Sequence, residues 1–223
     1  MSVADVAARI QHTNVRPETT RRQIEQLVTE SLEHRFQGVM VNPIWAPLAA
    51  RLLEGSGMRV CTAFDFPMGG STTEVVAQAV AQARRQGADE VDVMTKPGWL
   101  RSGMHSEYQR HLAEVVAAAD GAPVKAMLEA GLLEDEELRT AVELCAEAGV
   151  SFLKNSSGYG GGDATPELVR RLVELAAGRM GVKASGGIRT RESAEALLEA
   201  GADLLGSSSG VAIVSGGRGE AGY

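Results

Sequence analysis

Three ionisable side chains interrupt runs that otherwise read as buried β-strands: Asp92 in EVDVM, Lys154 in SFLKNSS and Lys183 in GVKASGG. Side chains alternate between the two faces of a strand, so Asp92 points away from the face shared by Val91 and Val93. If the valines meet packed helices, Asp92 faces an enclosed interior. The same reasoning turns Lys154, after Phe152 and Leu153, and Lys183, after Val182, to that side. Burial disfavours an ammonium and a second ammonium nearby disfavours it further, so both effects favour a neutral amine. A neutral amine attacks carbonyls, and the iminium that follows accepts an electron pair from the adjacent carbon as an enamine, which is what aldol cleavage and condensation require. Asp92 would supply the acid/base function through a water and balance part of the charge. A satisfied salt bridge inside the fold is the structural alternative for either lysine alone. Three such residues on the fourth, sixth and seventh runs favour chemistry.

A second signal is glycine. SSGYGGG at 156–162, ASGGIR at 184–189 and GSSSG at 206–210 each follow one of the last three strand-like runs. Backbone amides and small hydroxyls in such loops can approach an anion closely. Any phosphate must be met locally in this way, because the formal net charge is -7 and no block of Lys or Arg forms a nucleic-acid footprint.

These residues need a frame that brings the ends of distant strands together. Short apolar runs alternate with segments of helical period: Ala8 to His12, Gly38 to Val41, Arg59 to Phe64, Glu90 to Met94, Val124 to Leu128, Phe152 to Asn155, Val182 to Ser185 and Leu204 to Ser207. Repeated βα units at this compact spacing predict a closed (β/α)8 TIM barrel, an α/β fold in one compact domain over residues 1–214. An open doubly wound sheet is the alternative. In a barrel, reacting groups collect in the loops after the strands, and phosphate commonly sits after strands seven and eight. Between strands, Thr20 to Arg35 places Ile24, Leu27, Val28 and Leu32 on one core-facing stripe. Helix starts are signalled at Glu18 to Thr20, at Ser71 to Glu74 with capping-box spacing, and at Asp163 to Glu167. The last residues, 215–223, are glycine-rich and predict a flexible tail.

With 223 residues, 44% hydrophobic and 23% charged, the chain suits one globular domain with a sizeable core. No apolar run is long enough to span a membrane and the N-terminus lacks the order of a secretory signal, so the expected setting is the cytoplasm, with no membrane partner. Cys61 and Cys145, without CxxC spacing, read as buried apolar residues, not a disulfide or thiolate metal site.

The motifs CTAFDFPMGGSTTEV, GADEVDVM, FLKNSSGY, GVKASGGIRT and GSSSGVAIV, in this order, resemble the deoxyribose-phosphate aldolase family, and the resemblance runs from His12 to Val214. It implies that Lys154 is the Schiff-base lysine, Lys183 the lysine that depresses its pKa, and Asp92 the proton-transfer carboxylate. It also implies a phosphate site at Gly158, Gly186, Gly187, Ser208 and Ser209, and a proton-transfer role for the C-terminal Tyr223 on its tail. The implied substrate is a small phosphorylated aldehyde or sugar, 2-deoxyribose 5-phosphate being the family's, with no cofactor or metal. A homodimer is a common form for such small barrels. Departures from the family pattern bear on the substrate: Gln11 stands where Asp usually precedes the His-Thr pair (here His12 and Thr13), Asp65 where Gly is usual, and Lys96 where Asn is usual. Asn155 replaces the Thr that usually follows the lysine, and the run from Glu129 to Leu133 is also changed. Asp65, Lys96 and Asn155 are therefore specificity candidates, with Asp65 and Lys96 able to pair at the rim. The competing readings are an aldolase of the same mechanism with another donor or acceptor in a biosynthetic pathway, and a non-catalytic barrel that binds a sugar phosphate.

Overall fold

The computed structural model describes residues 1–160 and 162–219. A short helix α1 (Val3–Ala7) precedes β1 (Ile10–Asn14), after which strands and helices alternate. In order they are α2 (Arg21–His34), β2 (Gly38–Val41), α3 (Ala46–Leu52), β3 (Arg59–Phe64), α4 (Thr73–Arg85), β4 (Glu90–Met94), α5 (Pro97–Arg101) and α6 (His105–Ala118). Then come β5 (Val124–Met127), α7 (Asp135–Glu147), β6 (Phe152–Lys154), α8 (Pro166–Ala176), β7 (Gly181–Ser185), α9 (Arg191–Glu199), β8 (Leu204–Ser207) and α10 (Gly210–Ser215). All neighbouring strands are parallel, and β1 pairs with β8, with Gln11 opposite Gly206, to close the barrel. The closed barrel is the predicted architecture; the open sheet is excluded.

The strand runs fall close to their expected places, apart from β1. It starts and ends two residues later than the expected Ala8 to His12, because Val3–Ala7 forms a helix closed by a reciprocal Ser2–Asp5 capping box and its C-cap is Ala8. In α2 the buried residues are Ile24, Leu27, Val28 and Ser31, while Leu32 is 42% exposed. Each i,i+4 step turns about 40° beyond a full circle, so a third residue in that series leaves the facing stripe. Thr20 caps α2 in a box with Gln23, and Thr165 caps α8 by accepting from the Leu168 amide. The expected Ser71 cap does not form. Thr72 holds the N-cap position of α4, and Ser71 is engaged elsewhere.

Most of the apolar core lies between barrel and helices, from Val6 and Ile10 through Val91, Val93, Val182 and Leu205 to Ile213. A smaller cluster inside the barrel contains Met40, Cys61, Ala63, Met94 and Met127. Both cysteines are free and buried. Beside that inner cluster, at the same levels of the neighbouring strands, the barrel holds charge: Asp92, Lys125 and Lys183 are fully buried, and Glu90 and Lys154 nearly so. The boundary expected at residue 214 falls within α10, and the Gly217 amide donates to the Ala212 carbonyl at 2.9 Å.

Candidate active site

Adjacent strands bring the ionisable residues into one cluster. Asp92 on β4 lies in register with Lys125 on β5, and Lys154 on β6 with Lys183 on β7. The Asp92 Oδ2 oxygen accepts from Lys183 Nζ at 2.7 Å and from Lys154 Nζ at 3.0 Å. Its other oxygen, Oδ1, is ion-paired with Lys125 Nζ at 3.2 Å, and Lys125 Nζ also meets Glu90 Oε2 at 2.6 Å. The three residues singled out from their strand patterns thus share a single carboxylate oxygen. Lys125 and Glu90 were not anticipated, although VKAM carries the same signal as EVDVM.

The cluster holds three lysines and two carboxylates, so with every group ionised it carries one surplus positive charge. In a dry interior that surplus is costly, and releasing one proton removes it. Asp92 titrates well below the ordinary carboxylate range: burial works against its charge, but Lys183, Lys125 and Lys154 outweigh it. Lys125 is held above its ordinary value, because Asp92 and Glu90 overcome its burial. Lys183 goes the other way. Burial, together with the Lys154 and Lys125 ammoniums, pushes its pKa down to about 8 in spite of Asp92. The titration belongs to the coupled cluster as much as to one residue. Of the three amines, Lys154 is the most exposed, with 6% of its side chain accessible against 1% for Lys183 and none for Lys125.

Beside this cluster, Gly158, Gly186, Gly187, Ser208 and Ser209 line one cavity, together with Asp163, Arg189 and Gly206. All five expected phosphate ligands are therefore brought together at the ends of β6, β7 and β8. Gly187 requires its lack of side chain: φ is +71°, and a Cβ there would lie 2.5 Å from the Asp163 carboxyl carbon. Gly206 opens space on the other side, since a Cβ would come within 3.1 Å of Lys183 Cε. The cavity floor thus adjoins the stem of a cluster lysine. Asp163 stands in the sequence as part of a helix-start signal and Arg189 as the end of the ASGGIR loop, neither as a cavity residue; no strand period marks which loop side chains face the site.

The specificity candidates are placed differently from expectation. Lys96 and Asp65 do pair, but their side chains are only 5% exposed, so the pair is buried and not a rim contact. Besides Asp65, Lys96 Nζ donates to the carbonyls of Gly69 and Ser71 at 2.8 Å each, and Asp65 Oδ1 accepts from the Ser71 amide at 2.9 Å. All three ammonium protons are used in closing the loop 65–71. Burial raises the Asp65 pKa, but these donors outweigh it and hold it below its ordinary value. Asp65 has φ +55°, a left-handed conformation tolerated by an Asp that bonds its own backbone turn. Removing one member of a buried pair strands the other. Lys96→Met should therefore cost about 3 kcal/mol or more in a urea melt, and Asp65→Gly with Lys96→Asn should cost clearly less than the single change. Equal losses would mean that the pair is not coupled. Asn155 is fully buried, and its amide accepts from the Ser185 N–H at 2.7 Å and donates to the Ser185 carbonyl at 2.9 Å. It fastens β6 to β7 one residue beyond Lys154, because its two-sided amide matches a backbone pair. Tyr223 lies outside the described residues. The tail as far as Gly219 folds back, with the Gly219 amide donating to the Arg189 carbonyl at 2.9 Å.

Among the described residues, no group of three or more His, Cys, Asp or Glu is placed to hold a metal, and no helix is long and apolar enough to cross a membrane.

The closed parallel barrel and its cluster of amines and carboxylates fit a (β/α)8-barrel aldolase. The chain belongs to the DeoC/LacD aldolase family, whose profile matches residues 8–216. It is 43% identical over 220 residues to a deoxyribose-phosphate aldolase of Exiguobacterium sibiricum, covering 98% of this chain and 100% of that one. Among solved structures it superposes on an aldolase named QR15 with a TM-score of 0.90 at 36% identity, covering 95% of each chain. It also superposes on the tetrameric deoxyribose phosphate aldolase of Aeropyrum pernix, with a TM-score of 0.89 at 32% identity, covering 96% of this chain and 91% of that one.

Proposed function

We propose that this protein is a class I aldolase that reversibly cleaves 2-deoxy-D-ribose 5-phosphate to acetaldehyde and D-glyceraldehyde 3-phosphate. The observation that carries the reading is the pair of amines, Lys154 and Lys183, on one oxygen of Asp92 beside a glycine-lined cavity. Lys154, the most exposed amine, is the nucleophile. Its neutral nitrogen adds to the sugar aldehyde carbon, and loss of water gives the iminium. A base removes the proton of the C3 hydroxyl, the C2–C3 bond breaks, and its electron pair moves into the iminium to form the enamine. Glyceraldehyde 3-phosphate leaves. Protonation of the enamine carbon and hydrolysis release acetaldehyde and restore the amine. Asp92 moves these protons through water and holds Lys154 in place, while Lys183 supplies the neighbouring charge. The amides around Gly158, Gly186 and Gly187 and the hydroxyls of Ser208 and Ser209 receive the phosphate. Tyr223 would serve at the enamine carbon; Tyr223→Phe should then slow exchange of acetaldehyde methyl protons with deuterated water.

Coupled-enzyme detection of glyceraldehyde 3-phosphate from 2-deoxyribose 5-phosphate tests the substrate. Gly187→Ala, which forces a side chain onto Asp163 at a positive φ, should raise KM for the sugar phosphate at least about tenfold, the equivalent of losing 1.4 kcal/mol of binding. An unchanged KM would place phosphate elsewhere. One observation favours a second reading, the same lysine chemistry on a less anionic acceptor: the Asp163 carboxylate lines the cavity meant for phosphate. Lower kcat/KM for 2-deoxyribose 5-phosphate than for the unphosphorylated sugar would select it. A cytoplasmic setting and a homodimer complete the proposal: the two free cysteines fit a reducing compartment, and two-fold dimers are the commonest soluble homo-oligomers.

A further inference from the structure

Gln11 on β1 is fully buried and touches the charged cluster at Glu90 and Lys183. Its Nε2 lies 2.8 Å from Glu90 Oε2 and 2.9 Å from Gln37 Oε1. Both are acceptors. Glu90 stays ionised, because Lys125 and its other partners outweigh its burial, and Gln37 spends its own Nε2 on Glu90 Oε1 at 3.0 Å. Turning the Gln11 amide over would set its carbonyl against a carboxylate and a second carbonyl in a dry site. Oε1 must therefore face the remaining neighbour, Lys183 Nζ, which donates to it.

Lys183 is faced by Gln11 from β1, the Cys61 thiol from β3, Asp92 and Glu90 from β4, Lys125 from β5 and Lys154 from β6. From β8, Gly206 presents no side chain. Gln11 is thus a strong acceptor that adds no charge. A carboxylate in its place would give the cluster three negative charges for three lysines and remove the surplus that favours proton release.

We propose that Gln11 is a positioning residue for the aldolase chemistry: its locked carboxamide aims Lys183 at Asp92 while keeping the lysine cluster one negative charge short of neutrality. The inference rests on the reading that the cluster is catalytic, but the geometry can be tested without turnover.

The test is NMR titration of protein labelled with 13C at lysine Cε, with the Lys183 signal assigned by its loss in Lys183→Met. In the wild type this signal should titrate near pH 8. Gln11→Glu should move the midpoint up by about one pH unit or more, and Gln11→Met, which removes an acceptor of the ammonium, should move it down. If Gln11→Glu does not fold, Gln11→Met decides alone. Cleavage kinetics give the second readout: Gln11→Met, which leaves Lys183 without its aiming acceptor, should lose about tenfold or more in kcat at pH 7, with KM changed less than about twofold. Midpoints that stay at the wild-type value would overturn the proposal. Midpoints that move as expected in a protein with no aldolase activity would support the role of Gln11 and sink the proposed function instead.

Discussion

Replacing Lys154 with arginine should reduce aldol cleavage by at least about 10⁴-fold, because the step that forms the covalent intermediate loses its nucleophile. A guanidinium stays protonated and cannot attack a carbonyl, yet it keeps a positive charge beside Asp92 Oδ2. Lys154→Met removes the charge as well and should be equally inactive. The two differ in stability. The cluster counts three lysines against two carboxylates, so Lys154→Met leaves it balanced and should be as stable as the parent or more so. A Lys154→Met protein that is inactive and clearly less stable would mean that the ammonium is a structural tie in the barrel.

Asp92→Asn should have the second-largest effect, and on both properties. Proton transfer by a positioned carboxylate contributes about 10²- to 10⁴-fold, and that range is the expected fall in kcat. The change also leaves three lysines facing only Glu90, which should cost about 3–5 kcal/mol of stability. The pH dependence has a definite sign. The folded pKa of Asp92 lies below the ordinary 3.8, so its contribution is complete above that value and is lost as pH falls below it. Wild-type stability should therefore decline below about pH 4 more steeply than that of Asp92→Asn. Parallel acid limbs in the two proteins would show that Asp92 is not held ionised by the lysines.

Much of this site was legible in strand periodicity, since Asp92, Lys154 and Lys183 each stand where an apolar residue would pack. Lys125 carries the same pattern, but it lies near the start of β5, where a long lysine often reaches solvent, so its depth is set by barrel closure and not by its neighbours in sequence. Asp65 and Lys96 were recognisable as a pair from their places at adjacent strand ends. Their burial was not, because it arises when the loop 65–71 folds over the ammonium. Asn155 stands out in the sequence as a specificity candidate because it replaces the Thr that usually follows the lysine; its partner Ser185 is 30 residues away and on another strand. The register of β1 slipped because a five-residue helix at the N-terminus has too few turns to show a period.

The most direct test of the central claim is borohydride trapping with acetaldehyde, read by intact mass and peptide mapping. The account predicts one ethyl group per chain, located on Lys154, in the wild type and in Asp65→Gly/Lys96→Asn, and none on Lys154→Arg. Full labelling of Lys154→Arg, or an ethyl group that maps to Lys183 in the wild type, would contradict it.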